Sequence, residues 1–140
     1  MTEQARILVV DDEQGMRELL QYLLQGEGYS VELAESAAEA LSKIKQEPFH
    51  LVLTDIKMPN MDGLQMLQRI KELDQQVVVI VMTAYSTLEN AIKAIKYDAY
   101  NYLIKPFDDP DVVLSAVAEG LRERDGTPDK SGSPIGGGDT

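Results

Sequence analysis

The stretch Ile7-Leu8-Val9-Val10-Asp11-Asp12 decides the fold. A strand with one wet face alternates apolar and polar residues, whereas four apolar residues in a row suit a strand buried on both faces, as in a parallel sheet. Working outward, the same pattern returns at Leu51-Val52-Leu53, at Val77 to Met82 and at Tyr100 to Ile104. Ser30 to Ala34 is a weaker, alternating version. Between these runs the period changes to that of a helix. Met16, Leu19, Leu20, Leu23 and Leu24 fall at helical spacing, as do Ala37, Ala40, Leu41 and Ile44. Leu64, Leu67 and Ile70 form a third stripe, Leu88, Ala91, Ile92 and Ile95 a fourth, and Val112, Val113, Ala116, Val117 and Leu121 a fifth. Ser36 to Glu39 and Ser86 to Glu89 read as capping boxes, Asp62 as the cap of the third helix, and Pro110 as a first-turn residue of the last. The outcome is strand–helix repeated five times. This predicts an α/β fold with a parallel sheet, helices on both faces and right-handed crossovers.

Composition narrows the class. The 140 residues allow one domain with a sizeable core, and 44% of them are apolar. A net charge of −11 argues against direct nucleic-acid binding by this segment. The absence of cysteine excludes disulfides, thiolate catalysis and zinc–cysteine sites. The single histidine, His50, leaves little scope for a histidine metal site and is read as a surface or strand-start residue. No apolar run approaches the ~18 residues of a membrane span. With no leader visible before the first strand, a cytoplasmic protein is the simplest expectation. From Asp125 the chain turns to Gly, Pro and Ser, so residues 1–124 are expected to form the domain and 125–140 a flexible tail or truncated linker.

In an open α/β sheet, ligands bind beyond the carboxyl ends of the strands. The first run ends in Asp11-Asp12, the third in Thr54-Asp55, the fourth in Thr83-Ala84 and the fifth in Lys105-Pro106. A single acid after a strand is ordinarily a turn residue or a helix cap. Three carboxylates converging on one edge repel each other without a cation. Hard oxygen ligands suit Mg²⁺, which binds through a few carboxylates plus a phosphate. Lys105 adds a point charge suited to a phosphoryl oxygen. A carboxylate so placed can attack a phosphoryl group in line and become an acyl phosphate, with Thr83 donating to the new oxygens.

Four motifs in this order resemble the receiver domains of two-component response regulators. They are Val9-Val10-Asp11-Asp12-Glu13, Asp55-Ile-Lys-Met-Pro59-Asn-Met-Asp62-Gly63, Met82-Thr83-Ala84 and Tyr102-Leu-Ile-Lys105-Pro106-Phe107. The resemblance spans about residues 5–124. It implies a flavodoxin-like (βα)5 doubly wound sheet with strand order 2-1-3-4-5. It implies Asp55 as phospho-acceptor, and Asp11 and Asp12 as the acidic pair around Mg²⁺, with Asp12 the more direct ligand. The Lys57 backbone carbonyl would be a further ligand. Thr83 matches the switch hydroxyl, Lys105 the phosphate-binding lysine, and Tyr102 the aromatic residue that turns inward on activation. Lys105-Pro106 would be a cis peptide. The implied partners are a sensor histidine kinase or phosphotransfer protein, and a second copy through the face of the fourth helix, fifth strand and fifth helix.

Lys57 and Tyr85 match positions that tune dephosphorylation in the family. Asp98 stands where many members have Gly, in a place that favours a left-handed backbone. The stretches Met82 to Ala91 and Ala94 to Leu103 resemble receivers of the nitrogen-regulator (NtrC) type, which are fused to ATPase and DNA-binding domains. Regulation of transcription through a missing effector domain is therefore the expected output. A stand-alone receiver, acting by protein contact or within a phosphorelay, is the alternative. A Mg²⁺-dependent aspartyl phosphatase is disfavoured because such enzymes carry Asp-x-Asp after the first strand, and here the acids are adjacent. No Gly-rich loop follows that strand, which disfavours nucleotides and flavins. A receiver that has lost its chemistry is disfavoured by the complete acidic set.

Overall fold

Residues 4–58, 61–84, 86–105 and 109–124 are described by the computed structural model. Five strands and five helices alternate: β1 (Arg6–Val10), α1 (Gln14–Gly26), β2 (Ser30–Ala34), α2 (Ala37–Gln46), β3 (Leu51–Asp55), α3 (Gly63–Leu73), β4 (Val78–Thr83), α4 (Leu88–Lys96), β5 (Asn101–Ile104) and α5 (Pro110–Arg124). All strand pairs are parallel, in the order β2-β1-β3-β4-β5, as the resemblance implied.

The continuous apolar runs mark the central strands because both of their faces are covered. Leu8, Val10, Val52, Val79 and Val81 pack against α2 and α3 and against Ala94 of α4. Ile7, Val9, Leu51, Leu53, Ile80 and Met82 face α1 and α5 on the opposite side. β2 alternates because it is an edge strand, and only Ala34 in it is buried. Its exposed flank is held by charge: Arg6 pairs with Glu32 at 2.8 Å and Glu47 at 2.7 Å, and Lys43 donates to the Leu33 carbonyl.

Several expectations need adjustment. β3 runs on to Asp55, so the acid is the last strand residue and is positioned by the ladder itself. β4 begins at Val78 and takes in Thr83. The fourth helix is capped by Thr87, whose hydroxyl accepts from the Asn90 N–H, and not by Ser86. Ser36 accepts from Glu39 as expected, but the Glu39 carboxylate takes the Glu35 N–H, so that box is only half closed. The full reciprocal box is at Asp62 and Gln65. His50 sits just before β3, where its Nδ1 accepts the Arg6 N–H at 2.9 Å, in keeping with a strand-start residue.

In α4 the helical stripe of the sequence faces outward: Leu88, Ile92 and Ile95 are exposed and only Ala94 is buried. The helix touches the sheet near its edge, through small residues, and leaves its large ones outside. Asp98, just past α4, has a φ of 71°, the left-handed conformation expected at that position. The Lys105–Pro106 peptide, Tyr85, Pro59, Asn60 and residues 125–140 lie outside the described residues. So the cis bond, the Tyr85 role and the tail remain expectations.

Candidate functional site

The carboxyl ends of β1, β3 and β4 and the residue after β5 carry the polar side chains buried in the described residues: Asp11, Thr54, Asp55, Thr83 and Lys105. Parallel registry brings them together. Val10 lies beside Thr54, Asp55 beside Met82, and Thr83 beside Ile104. Each strand therefore delivers its last or following residue to one edge. The ladder bond from Lys105 N–H to the Thr83 carbonyl, 2.8 Å, extends this registry to the lysine.

Lys105 spans the two buried acids. Its Nζ lies 2.8 Å from Asp11 Oδ2 and 3.0 Å from Asp55 Oδ2. Glu13 Oε1 is 3.9 Å away, at the exposed rim. The remaining oxygens are also engaged. Asp11 Oδ1 accepts the Glu13 N–H at 2.9 Å, and Asp55 Oδ1 accepts the Lys57 N–H at 3.2 Å. One oxygen from each of Asp11, Asp12 and Asp55 can be enclosed within 4.8 Å, a spacing that suits a small divalent cation. The donor set is all carboxylate, hard and anionic, which fits Mg²⁺ and not a soft metal.

Burial raises the Asp55 carboxyl above its usual range, and the Asp11 charge adds to the rise. The hydrogen bond and charge of Lys105 oppose it without cancelling it. Burial alone would lower the Lys105 ammonium, but its bonds to Asp11 and Asp55 outweigh this and hold it above its usual value. A simple ion pair lowers the acid and raises the base. Here both rise, because two buried carboxylates share one ammonium.

The other expected residues are less tightly gathered. Asp12 is exposed on the rim. Thr83 is buried at the end of β4. Tyr102 is half-buried, and its hydroxyl donates to Ser86 Oγ at 3.4 Å. Lys57 is exposed, with its N–H on Asp55.

One contributor, Gly63, lies in the second motif without a role of its own there, and another, Arg17, escaped the reading of the sequence. Gly63 N–H donates to the Ile56 carbonyl at 2.6 Å, and a Cβ at Gly63 would collide with the Asp55 carbonyl oxygen. Arg17 Nη1 donates to the Asp11 carbonyl at 2.7 Å. A signal for the second was present. A basic residue near the start of a helix opposes the helix dipole and calls for a compensating partner.

Comparisons with known proteins bear on the family and the fold. Residues 7–118 match the model of the response regulator receiver domain family. The transcriptional regulatory protein ZraR of Klebsiella oxytoca is 47% identical over 106 residues, which is 76% of this chain and 24% of that protein. The chain thus spans about a quarter of the length of the curated relatives it matches first. Among solved structures, a CheY-like receiver domain protein from Methanospirillum hungatei JF-1 superposes with a TM-score of 0.86 at 36% identity, over 90% of this chain and all of that one, 100%. The beryllofluoride-activated NtrC4 receiver domain dimer gives 0.81 at 38% identity, over 85% and 98% of the two chains.

Proposed function

The chain belongs to the response regulator receiver domain family, with NtrC-type likeness, and on that premise we propose that it is switched by phosphorylation of Asp55. One observation carries the reading. A single buried ammonium, Lys105, spans the acceptor candidate and the first acid of the pair, at 3.0 and 2.8 Å. Burying three charged groups together is costly unless they are paired, so such an arrangement is favoured where it has work to do.

In the proposed reaction an Asp55 carboxylate oxygen attacks phosphorus in line. A new O–P bond forms while the P–N bond to a kinase's phosphohistidine breaks, and the imidazole leaves with the bonding pair. Asp55 must be ionised to attack, and the Lys105 charge favours that form. The ammonium is then at hand for the phosphoryl oxygens. Asp11, Asp12 and Asp55, with the Lys57 carbonyl, would hold Mg²⁺. A bound Mg²⁺ supplies positive charge against the equatorial oxygens. Thr83 would donate its hydroxyl to an oxygen of the new phosphoryl group, and Tyr102 would carry the change outward by leaving Ser86.

Residues 1–124 are taken as the receiver unit and 125–140 as a linker. The output face is α4, β5 and α5, through which a second copy docks; the NtrC4 receiver is recorded as a dimer in its activated form. The partners are a sensor histidine kinase or phosphotransfer protein. The whole protein would regulate transcription from the cytoplasm through an effector domain, as the name of the ZraR relative suggests. No described helix is long and apolar enough to cross a membrane.

Acetyl phosphate with Mg²⁺ should add one phosphoryl group, read by intact mass, and Asp55→Asn should abolish it. Uptake that persists in Asp55→Asn overturns the assignment.

A further inference from the structure

Helix α1 begins without a side-chain cap: Glu13 is the cap residue and its carboxylate makes no capping bond. Two contacts to Asp11 tie that first turn to the end of β1. The Glu13 N–H donates to Asp11 Oδ1 at 2.9 Å, and the Arg17 guanidinium donates to the Asp11 carbonyl at 2.7 Å. The Asp11 N–H reaches the Ala34 carbonyl at 3.1 Å, and Lys105 holds Asp11 Oδ2. Every polar atom of Asp11 is therefore committed.

Asp12 is the opposite case. It is exposed, and no hydrogen bond or ion pair to the described residues holds its carboxylate. Its direction is set by the backbone that leads into it. The Asp11 carbonyl belongs to the same planar peptide unit as the Asp12 nitrogen, so fixing that oxygen fixes the plane from which Asp12 departs. Arg17 grips this oxygen, and it brings a second positive charge to an edge where three carboxylates converge.

We propose that Arg17 is a positioning residue for the cation site: its grip on the Asp11 carbonyl orients the Asp11–Asp12 peptide and so presents the Asp12 carboxylate to a divalent ion. The proposal rests on the reading of Asp11, Asp12 and Asp55 as a Mg²⁺ site. A guanidinium suits the task because it makes a charge-assisted bond while its weakly hydrated plane stays half-buried. Arg17 touches neither the acceptor nor the arriving phosphoryl group, so its effect passes through Asp12.

The test is a Mg²⁺ titration of the whole chain by calorimetry, for wild type, Arg17→Ala and Arg17→Lys. Arg17→Ala should weaken Mg²⁺ binding about tenfold, the scale of one charge-assisted bond. Arg17→Lys, which keeps a charged donor of nearly equal reach, should lose only about threefold. In acetyl phosphate labelling, the half-saturating Mg²⁺ concentration should rise in the same ratio, while the rate at saturating Mg²⁺ falls by less than about twofold. In the metal-free protein, amide exchange at Asp12 should quicken in Arg17→Ala. If Arg17→Ala does not fold, the Arg17→Lys titration decides alone. Equal Mg²⁺ affinity in wild type and the folded variants overturns the proposal and leaves the site reading standing. A wild type that does not bind Mg²⁺ overturns both.

Discussion

The carboxyl edge of the sheet and the outer face of α4 both break the rule of apolar inside and polar outside, in opposite directions. At the edge, Asp11, Asp55 and Lys105 are buried. On α4, Leu88 is 78% exposed, Ile92 55% and Ile95 75%. A single exposed leucine needs no explanation, but a stripe of three at helical spacing is a patch seeking cover. The edge is held by ladder registry and by a lysine shared between two acids. The α4 face is held by one buried alanine and a cap. A switch needs both: a site already in place for its chemistry, and an element with little to hold it where it is.

The largest effect should come from the edge's tightest contact. Gly63→Ala places a Cβ against the Asp55 carbonyl, within 2.8 Å of the Ile56 Cα. Neither backbone atom can step aside without moving Asp55. We expect a loss of at least about 3 kcal/mol in urea unfolding, and loss of phosphate uptake in whatever folds. A variant that stays within about 1 kcal/mol of wild type would mean that the edge is more yielding than its packing implies.

Lys105→Met comes next. It leaves Asp11 and Asp55 buried side by side without their ammonium. Near neutral pH we expect a loss of about 2 kcal/mol, less than the full cost of an orphaned pair because Asp55 can take up a proton. Asp55 is already raised, and without the hydrogen bond and charge of Lys105 it goes higher. A carboxyl raised on folding binds protons more readily in the folded state, so its penalty is greatest above its folded value and fades as pH falls towards the unfolded value. The gap between wild type and variant should therefore narrow on acidification in metal-free buffer. Carboxyl carbon NMR checks the direction of the shift. A gap that widens with acid would reverse the electrostatic account.

These two cases show what was legible in the sequence. The three central strands were readable because burial on both faces removes alternation, whereas the run read at β5 is an edge strand with only Leu103 buried; the site was readable because parallel strands deliver their ends to one edge. Asp11, Asp55 and Lys105 follow from those two facts alone. The close contact of Gly63 was not legible, since its partners are backbone atoms, which no residue type announces, and Arg17 offered only its place near a helix start. α4 was only half legible for a related reason. Helical spacing shows that Leu88, Ile92 and Ile95 share a face, but not whether that face meets the sheet or solvent. The left-handed turn after α4 was legible in position, and it yields a smaller prediction. Asp98→Gly should stabilise the chain by about 0.5–1 kcal/mol in thermal or urea unfolding, because a φ of 71° suits glycine. The Lys71 pair lost with it is 3.7 Å long and largely in water, so it offsets little.

The smallest expected effect on the fold bears most directly on the comparison. Ile95 is 75% exposed, and Ile95→Ser removes apolar surface that water already reaches. Its effect on unfolding should stay within about 0.5 kcal/mol, as for surface substitutions generally. An isoleucine buried in a core would instead lose 2 kcal/mol or more, on the order seen for large-to-small changes. The same substitution should tell in association, because the stripe would be covered only when a second copy docks. Sedimentation velocity of the phosphorylated chain should show a dimer that weakens in Ile95→Ser, with little change in the unphosphorylated protein. An equal loss of fold stability in both states would place Ile95 in the core and remove the contrast between the two regions. Unchanged association with an intact fold would leave the exposed stripe real and move the docking surface elsewhere on the molecule.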